Sequence, residues 1–297
     1  MMNRKKEEQI QRIATVTKVR TAIAIFKIAL LLVAGWGITV PAFAQCAVKE
    51  ANFPINQQIK YDLSFHWQFV WFKAGSAKLS FDKTEYAGNP ANRINLLAVG
   101  NSRADLFFKL RDTLTSVMSE RLEPLYYRKG AVEGKRYWVD EATFSYEDGV
   151  SKILQSRTEE KKGTKEYSFT DSRCVYDLLS VLVWARTLNP DSYSAGDRIQ
   201  IPVATGRRID EQVLIYRGRD TYKAENKVTY NCLIFSLLQE KKGVEQEVIT
   251  FTITDDANRI PVCLNIFLKF GLAKASMIEV SGSEYPLTSI VSTPPTK

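Results

Sequence analysis

The chain contains a single imidazole, His66, and this narrows the chemistry open to it. Catalysis by a histidine-activated serine or cysteine would need His66 beside the nucleophile, and the sequence carries no Gly-x-Ser-x-Gly turn. A zinc site built on several histidines is excluded. The plain reading of His66 is an exposed strand residue. Asp255-Asp256-Ala257-Asn258 gathers oxygen donors of the kind calcium takes, but the spacing is not that of a calcium loop. The same residues make a good hairpin turn, with Arg259 balancing the charge. Asp177 and Arg186, and Arg111 with Asp112, read as caps or structural ion pairs. No catalytic residue, metal ligand or cofactor is assigned.

The aromatic residues offer more. From Tyr61 to Trp71 every odd position is large and apolar (Tyr61, Leu63, Phe65, Trp67, Phe69, Trp71), while Asp62, Ser64, His66 and Gln68 are polar. A period of two predicts one long half-buried strand. Lys73-Ala74-Gly75 reads as its break, after which Ala77, Leu79 and Phe81 resume the alternation. The stripe has two readings. It is ordinary sheet core, or Phe65, Trp67, Phe69 and Trp71 line a groove for an acyl chain, with Trp138, Trp184 and Phe107-Phe108 joining the groove or its lid.

Elements able to position such a stripe follow along the chain. Alternating segments at 93–100, 113–119, 125–131, 136–146, 151–157 and 165–169 are separated by turn chemistry such as Gly88-Asn89-Pro90, Glu147-Asp148-Gly149 and Lys161-Lys162-Gly163. Residues 171–188 switch to helical spacing through Val175, Leu178, Leu179 and Leu182, with Asp171 or Ser172 as cap and Asn189-Pro190 as stop. Further strands are predicted at 198–204, 212–216, 220–224, 227–238, 245–254, 259–269 and 274–281. About a dozen strands and one long helix make a mainly β fold. A sheet of that size must curl or close, so the expectation is a large curved antiparallel sheet or open β-barrel with the helix packed against its concave side.

The compartment is set at the start. A basic run, an apolar segment from Ile28 to Val40, Pro41 and the triplet Ala42-Phe43-Ala44 have the order of a secretory signal peptide, with cleavage before Gln45. A retained anchor and lipidation at Cys46 are the competing readings. Residues 1–44 are thus the leader, 45–282 one β-rich domain, and 283–297, rich in Ser, Thr and Pro, a flexible tail. The leader holds seven basic and two acidic residues, so 34 basic and 31 acidic groups remain after it, scattered rather than clustered. That distribution sets nucleic-acid binding aside. Export permits disulfides. Cys232 and Cys263 lie in apolar strand-like runs, which leaves Cys46 and Cys174 as the better pair.

Several segments together resemble a family of bacterial exported proteins catalogued as domain of unknown function 3108. They are Tyr61-Asp62-Leu63, Trp71 through Ala77, Phe107-Phe108-Lys109-Leu110-Arg111-Asp112, Glu133-Gly134, Tyr176 through Ser180 with Ala185-Arg186, Tyr216-Arg217-Gly218, and Thr254 through Val262. The resemblance spans nearly the whole chain after the leader. It implies a β-rich, Bacteroides-like envelope protein of the periplasm or cell envelope and carries over no catalytic residue. The expected shape is similar to that of periplasmic lipoprotein carriers, which is a likeness of fold alone.

The expected function is therefore non-enzymatic: binding of a lipid or a lipoprotein acyl chain on the concave face. The alternative is a structural or assembly factor with an envelope protein as partner. An envelope glycan hydrolase, whose paired carboxylates no spacing here reveals, ranks third.

Overall fold

The computed structural model describes residues 46, 53–67, 69–105, 109–133, 136–268 and 271–294. The leader, its cleavage site and Phe107-Phe108 lie outside the described residues, as does the side chain of Trp67. Eight strands form a first meander: β1 (Gln58–Trp67), β2 (Val70–Tyr86), β3 (Asn89–Gly100), β4 (Leu110–Ser119), β5 (Pro124–Glu133), β6 (Arg136–Glu147), β7 (Val150–Glu159) and β8 (Gly163–Asp171). A short turn of helix, α1 (Ser102–Asp105), sits between β3 and β4. Helix α2 (Leu178–Thr187) then leads to a second meander: β9 (Arg198–Ala204), β10 (Ile209–Lys223), β11 (Thr229–Lys241), β12 (Val244–Thr254), β13 (Pro261–Leu268) and β14 (Gly271–Ser281).

All neighbours pair antiparallel in one fifteen-stranded sheet, ordered β8 to β1 and then β14 to β9. The two meanders are welded where β1 pairs with β14, from Gln58 opposite Ser281 to His66 opposite Leu272. The last strand, β15 (Ile290–Ser292), pairs with the start of β11. The sheet is curled but not closed into a barrel, because β8 and β9 remain its two edges.

Consecutive strands β8 and β9 thus lie at opposite margins, and α2 carries the chain between them. Leu179, Ser180, Val181, Leu182, Val183, Ala185 and Arg186 are all buried, and Leu178, Trp184 and Thr187 are half-buried, so no position of the helix is fully exposed. A helix with no exposed face lies within the core rather than on its surface. It belongs to one apolar cluster with Tyr61, Leu79, Phe81 and Ile94 of the first meander and Leu214, Phe235, Phe251 and Met277 of the second.

The expected helix start, at Asp171 or Ser172, is corrected. Asp171 ends β8, and its carboxylate holds Arg173 at 2.8 Å. The true cap is Asp177: its Oδ1 accepts from Leu179 N at 2.8 Å and Ser180 N at 3.0 Å, while Ser180 Oγ accepts from Asp177 N. This reciprocal box satisfies amides that a buried helix start could not leave bare. Between strand and helix the chain runs extended, with Tyr176 bonded to Pro202 O and Ala204 N along the free edge of β9.

The margins meet through side chains. Gln155 of β7 donates to Arg208 O at 3.0 Å and accepts from Gly206 N at 2.6 Å. Gly206 has φ +90°, and a Cβ there would fall 2.4 Å from the Asp140 carboxyl, so only glycine allows this approach. Arg173, following β8, reaches Glu211 of β10 at 2.5 Å.

Two expectations about continuity change. The gap expected between 216 and 220 is a bulge inside β10, where Gly218 takes φ +99° and the register against β11 shifts. The segment expected to be a flexible tail is held over its described part. Asn258 Nδ2 donates to Tyr285 O, Ser289 Oγ donates to Asp256 Oδ2 at 2.6 Å, and β15 extends the sheet.

The Cys46–Cys174 disulfide is present, and Cys232 and Cys263 are free and buried. Desolvation pushes the Cys232 thiol up to about 12, so it behaves as an apolar group. Closing a loop of 128 residues should stabilise the fold by about 3–5 kcal/mol in the chain-entropy model. Peptide mapping without reductant should recover the 46–174 pair, and Cys46→Ser should lower the unfolding free energy by that amount in urea titration.

A second prediction concerns the cap. Burial raises the Asp177 carboxyl above its usual range, against the hydrogen bonds from Ser180 and Ser116. The folded chain therefore holds this proton to higher pH than the unfolded chain. Its contribution favours folding in acid and declines as pH rises from the ordinary carboxylate value through the raised one. Asp177→Asn keeps both backbone bonds and should remove that component of the pH slope with a stability change under about 1 kcal/mol. Asp177→Ala should cost about 1–3 kcal/mol in the same titrations.

Candidate functional site

The aromatic stripe does not continue to Trp71 as one strand. Trp67 lies opposite Val70, so the chain reverses between them and β2 runs back along β1. Reversal changes which residues share a face. Phe65 stands opposite Phe72, with their rings 5.7 Å apart edge to face, whereas Trp71 stands opposite His66 and stacks on it at 4.9 Å. Phe65 and Trp71 therefore lie on opposite faces of the sheet. The turn went unread because Gln68-Phe69 has none of the usual turn residues. Gly75, read as a break, lies inside β2, where a Cβ would meet Val99 O at 2.1 Å.

The stripe divides into a buried and an exposed part. Tyr61 is wholly buried, its hydroxyl donating to Pro261 O at 2.8 Å and its pKa raised by desolvation, and Leu63 packs beside it in the core. Phe65 is half-buried. Phe69, at the turn, is 95% exposed, Val70 is 63% exposed and Trp71 is 48% exposed. Phe65, Phe69 and Trp71, expected to line one groove, do not share one face, while the side chain of Trp67 lies outside the described residues; α2 and the apolar cluster pack inside the sheet. Trp184 lies on α2 against Tyr176, and Trp138 stands on β6 among Lys129, Arg136 and Arg157, both apart from this hairpin.

What the structure assembles instead is a rim. Strand order β2-β1-β14-β13 sets two hairpins side by side, and the registers make them level: Trp71, His66, Leu272 and Phe267 form one row across the four strands. Phe267 and Leu268 at the second tip are exposed as well. Gly271 permits the close fit, since a Cβ there would fall 2.2 Å from His66 O and 2.8 Å from the Phe65 ring. The contribution of β13–β14 was not visible in the sequence, because the pairing of β1 with β14 joins residues some two hundred positions apart.

Lysines flank the two tips, and one of them is paired with a carboxylate. Neither Asp nor Glu occurs between Asp62 and Asp82 or between Asp256 and Glu279, stretches that contain Lys73, Lys78, Lys269 and Lys274. Lys73 bridges Asp62 at 2.8 Å, and Lys274 lies over the Tyr222 ring. The other candidate groups serve the fold. Asp255 pairs with Arg219 and Arg259, and Asp256 accepts from Thr254 and Ser289, so the acidic run is a turn as expected. Arg111 pairs with Asp105, and Asp112 accepts from Val132 N. Among the described residues no group of acidic, His and Cys side chains is arranged to hold a metal. No helix among them is long and apolar enough to cross a membrane.

The molecule is thus of the class in which a single curled antiparallel sheet encloses its own crossover helix. The chain belongs to the family described as protein of unknown function (DUF3108), whose profile matches residues 60–278. No curated protein matches the sequence. Among solved structures, the beta-barrel-like protein of domain of unknown function DUF1849 from Brucella abortus is similar at 8% identity and a TM-score of 0.49, over 77% of this chain and 99% of that one. A candidate exported protein with YmcC-like fold from Bacteroides fragilis is similar at 9% identity and a TM-score of 0.29, over 78% of this chain and 100% of that one.

The division of the stripe can be measured. Tyr61→Ala should lower the unfolding free energy by about 3–5 kcal/mol. Phe69→Ser should stay within about 0.5 kcal/mol of the parent in the same denaturant titration, because its ring contributes to no core.

Proposed function

We propose that this is a non-catalytic protein of the cell envelope that docks on a phospholipid surface through the β1–β2 and β13–β14 tips. One observation carries the reading: five large apolar side chains, Phe69, Val70, Trp71, Phe267 and Leu268, stand exposed on two level, adjacent hairpins. Exposed apolar residues elsewhere, such as Leu97, Leu154 and Val244, are scattered and need no partner. A contiguous apolar rim is a different matter, since its exposure to water is unfavourable unless something covers it.

The choice of a bilayer rests on chemistry. Aromatic rings flanked by lysines, Lys73 on one hairpin and Lys274 on the other, suit the headgroup region, where rings sit at the interface and lysines meet anionic lipid. Each lysine near such a surface contributes about 1 kcal/mol. Export is supported by the leader and by the Cys46–Cys174 bridge, which needs an oxidising compartment to persist. The absence of catalysis is supported by His66 being stacked on Trp71 and by the structural engagement of Asp177, Asp255 and Asp256.

Flotation of the mature protein with phosphatidylethanolamine–phosphatidylglycerol vesicles tests this. The protein should float with them, more weakly at high salt and on phosphatidylcholine alone, with a blue shift of tryptophan emission. Phe69→Asp should abolish flotation without altering stability. Failure of the parent to float, or undiminished flotation of Phe69→Asp, overturns the reading in favour of a protein partner.

A further inference from the structure

Strands β1 and β13 carry the apolar tips at one end. Near their other end lies a cleft of about 340 Å³, lined among others by Pro54, Arg186, Leu188, Asn258, Arg259 and Glu284. That volume is at the lower end for small-molecule sites. Arg186, in the last turn of α2, is only 8% exposed. Its Nη2 donates to Gln57 Oε1 at 3.0 Å and to Asn258 O at 2.7 Å, and the guanidinium lies 4.7 Å from the Phe81 ring centre.

The other donors are unmatched. Arg186 Nη1 is buried with no acceptor among the described residues, and so is Nε2 of Gln57, whose other amide atom already binds the same guanidinium. Buried donors left without acceptors are unfavourable, and the guanidinium that carries one of them belongs to a residue lining the cleft, where an oxyanion could pair with it. Charge points the same way. Arg111, Arg157, Arg173, Arg219 and Arg259 each have a carboxylate partner, whereas no ion pair holds Arg186 among the described residues. Desolvation without such a partner brings its pKa down to about 10. The negative end of α2 and the two accepting carbonyl groups offset this charge only in part.

We propose that the cleft binds a small organic monocarboxylate, its head on the Arg186 guanidinium and its body against Pro54 and Leu188. A dianion fits less well, because Glu284 lines the cleft and the field of Asp256 reaches Arg186. Arg259 adds little, since Asp255 already neutralises it at 2.8 Å. This site is separate from the apolar rim, and neither reading depends on the other.

The test uses the ¹⁵N-labelled mature protein, with sodium benzoate and inorganic phosphate titrated separately at constant ionic strength. The Arg186 Nε–H resonance, assigned by its loss in Arg186→Lys, should shift saturably with benzoate and remain in place with phosphate. Arg186→Lys should weaken benzoate binding by about tenfold or more, since an ammonium lacks the planar fork. Should that variant fail to fold, Glu284→Gln, a change at an exposed residue, gives the second arm and should tighten binding about threefold at low salt. A benzoate-insensitive resonance in the folded parent overturns the proposal, as does equal affinity for phosphate or unchanged affinity in Glu284→Gln. The first of these outcomes would leave Arg186 as a water-bound tie between α2 and the sheet.

Discussion

The passage of the chain through its own interior is the constraint on which the rest of the structure depends. Because β8 and β9 are consecutive yet lie at opposite margins, the crossover between them must either go round the sheet or through the space it encloses. Here it goes through, as α2, and a helix with no fully exposed position brings both of its polar ends inside. Asp177 and Ser116 resolve the start, with Ser116 Oγ donating to Asp177 Oδ2 at 2.7 Å. Arg186 ties the end to Gln57 and Asn258. Those anchors lie on β4, before β1 and in the turn before β13, so fixing the helix fixes the curl of both meanders around it. The interior is then occupied by α2 and the apolar cluster packed on it.

An unclosed sheet still has edges, and each is managed differently. The β9 edge is covered by Tyr176, whose backbone bonds to Pro202 and Ala204 without adding a full strand. The β8 edge stays open but carries Lys165 and Glu166, and charged residues discourage pairing with another chain. Between the margins, Gln155 and Arg173 supply directed bonds where backbone pairing stops. Side-chain contacts of this kind tolerate small changes in curvature that a continuous ladder would forbid. The Cys46–Cys174 bridge then secures the segment that follows β8, whose backbone pairs only at Tyr176 among the described residues.

The sequence displayed local periodicity well and tertiary consequences poorly. Alternation located nearly every strand, and turns such as Glu147-Asp148-Gly149 were legible because Asp148 and Gly149 have the positive φ that turn chemistry predicts. The helix was legible, but its start was not, since Asp171 and Asp177 are equally good caps until one knows how far β8 extends. Two glycines misled in the same way: Gly75 and Gly218 looked like breaks, yet each lets a strand continue through a bulge or a close approach. The apolar rim was half visible. Phe65 to Trp71 announced themselves, while Phe267 and Leu268 passed as an ordinary strand end because only the β1–β14 pairing sets the tips level.

Folding alone accounts for the interior of this protein and not for the exposed side chains at its rim. Tyr61 and Leu63 are needed by the core, but Phe69, a few residues on along the same chain, packs on nothing that the fold requires. A solvent-exposed turn between two strands is ordinarily served by polar or glycine-rich sequence, which favours the reversal and stays soluble. Retaining an aromatic ring there forgoes both advantages. The same holds at the second tip, where Phe267 and Leu268 flank a turn that polar residues would close as well. Two independent departures from the economical choice, brought level by strand register, are what a surface selected for contact would show. With α2 packed inside the sheet, the exposed apolar side chains stand at the ends of the strands, and that end is the one built against the demands of solubility.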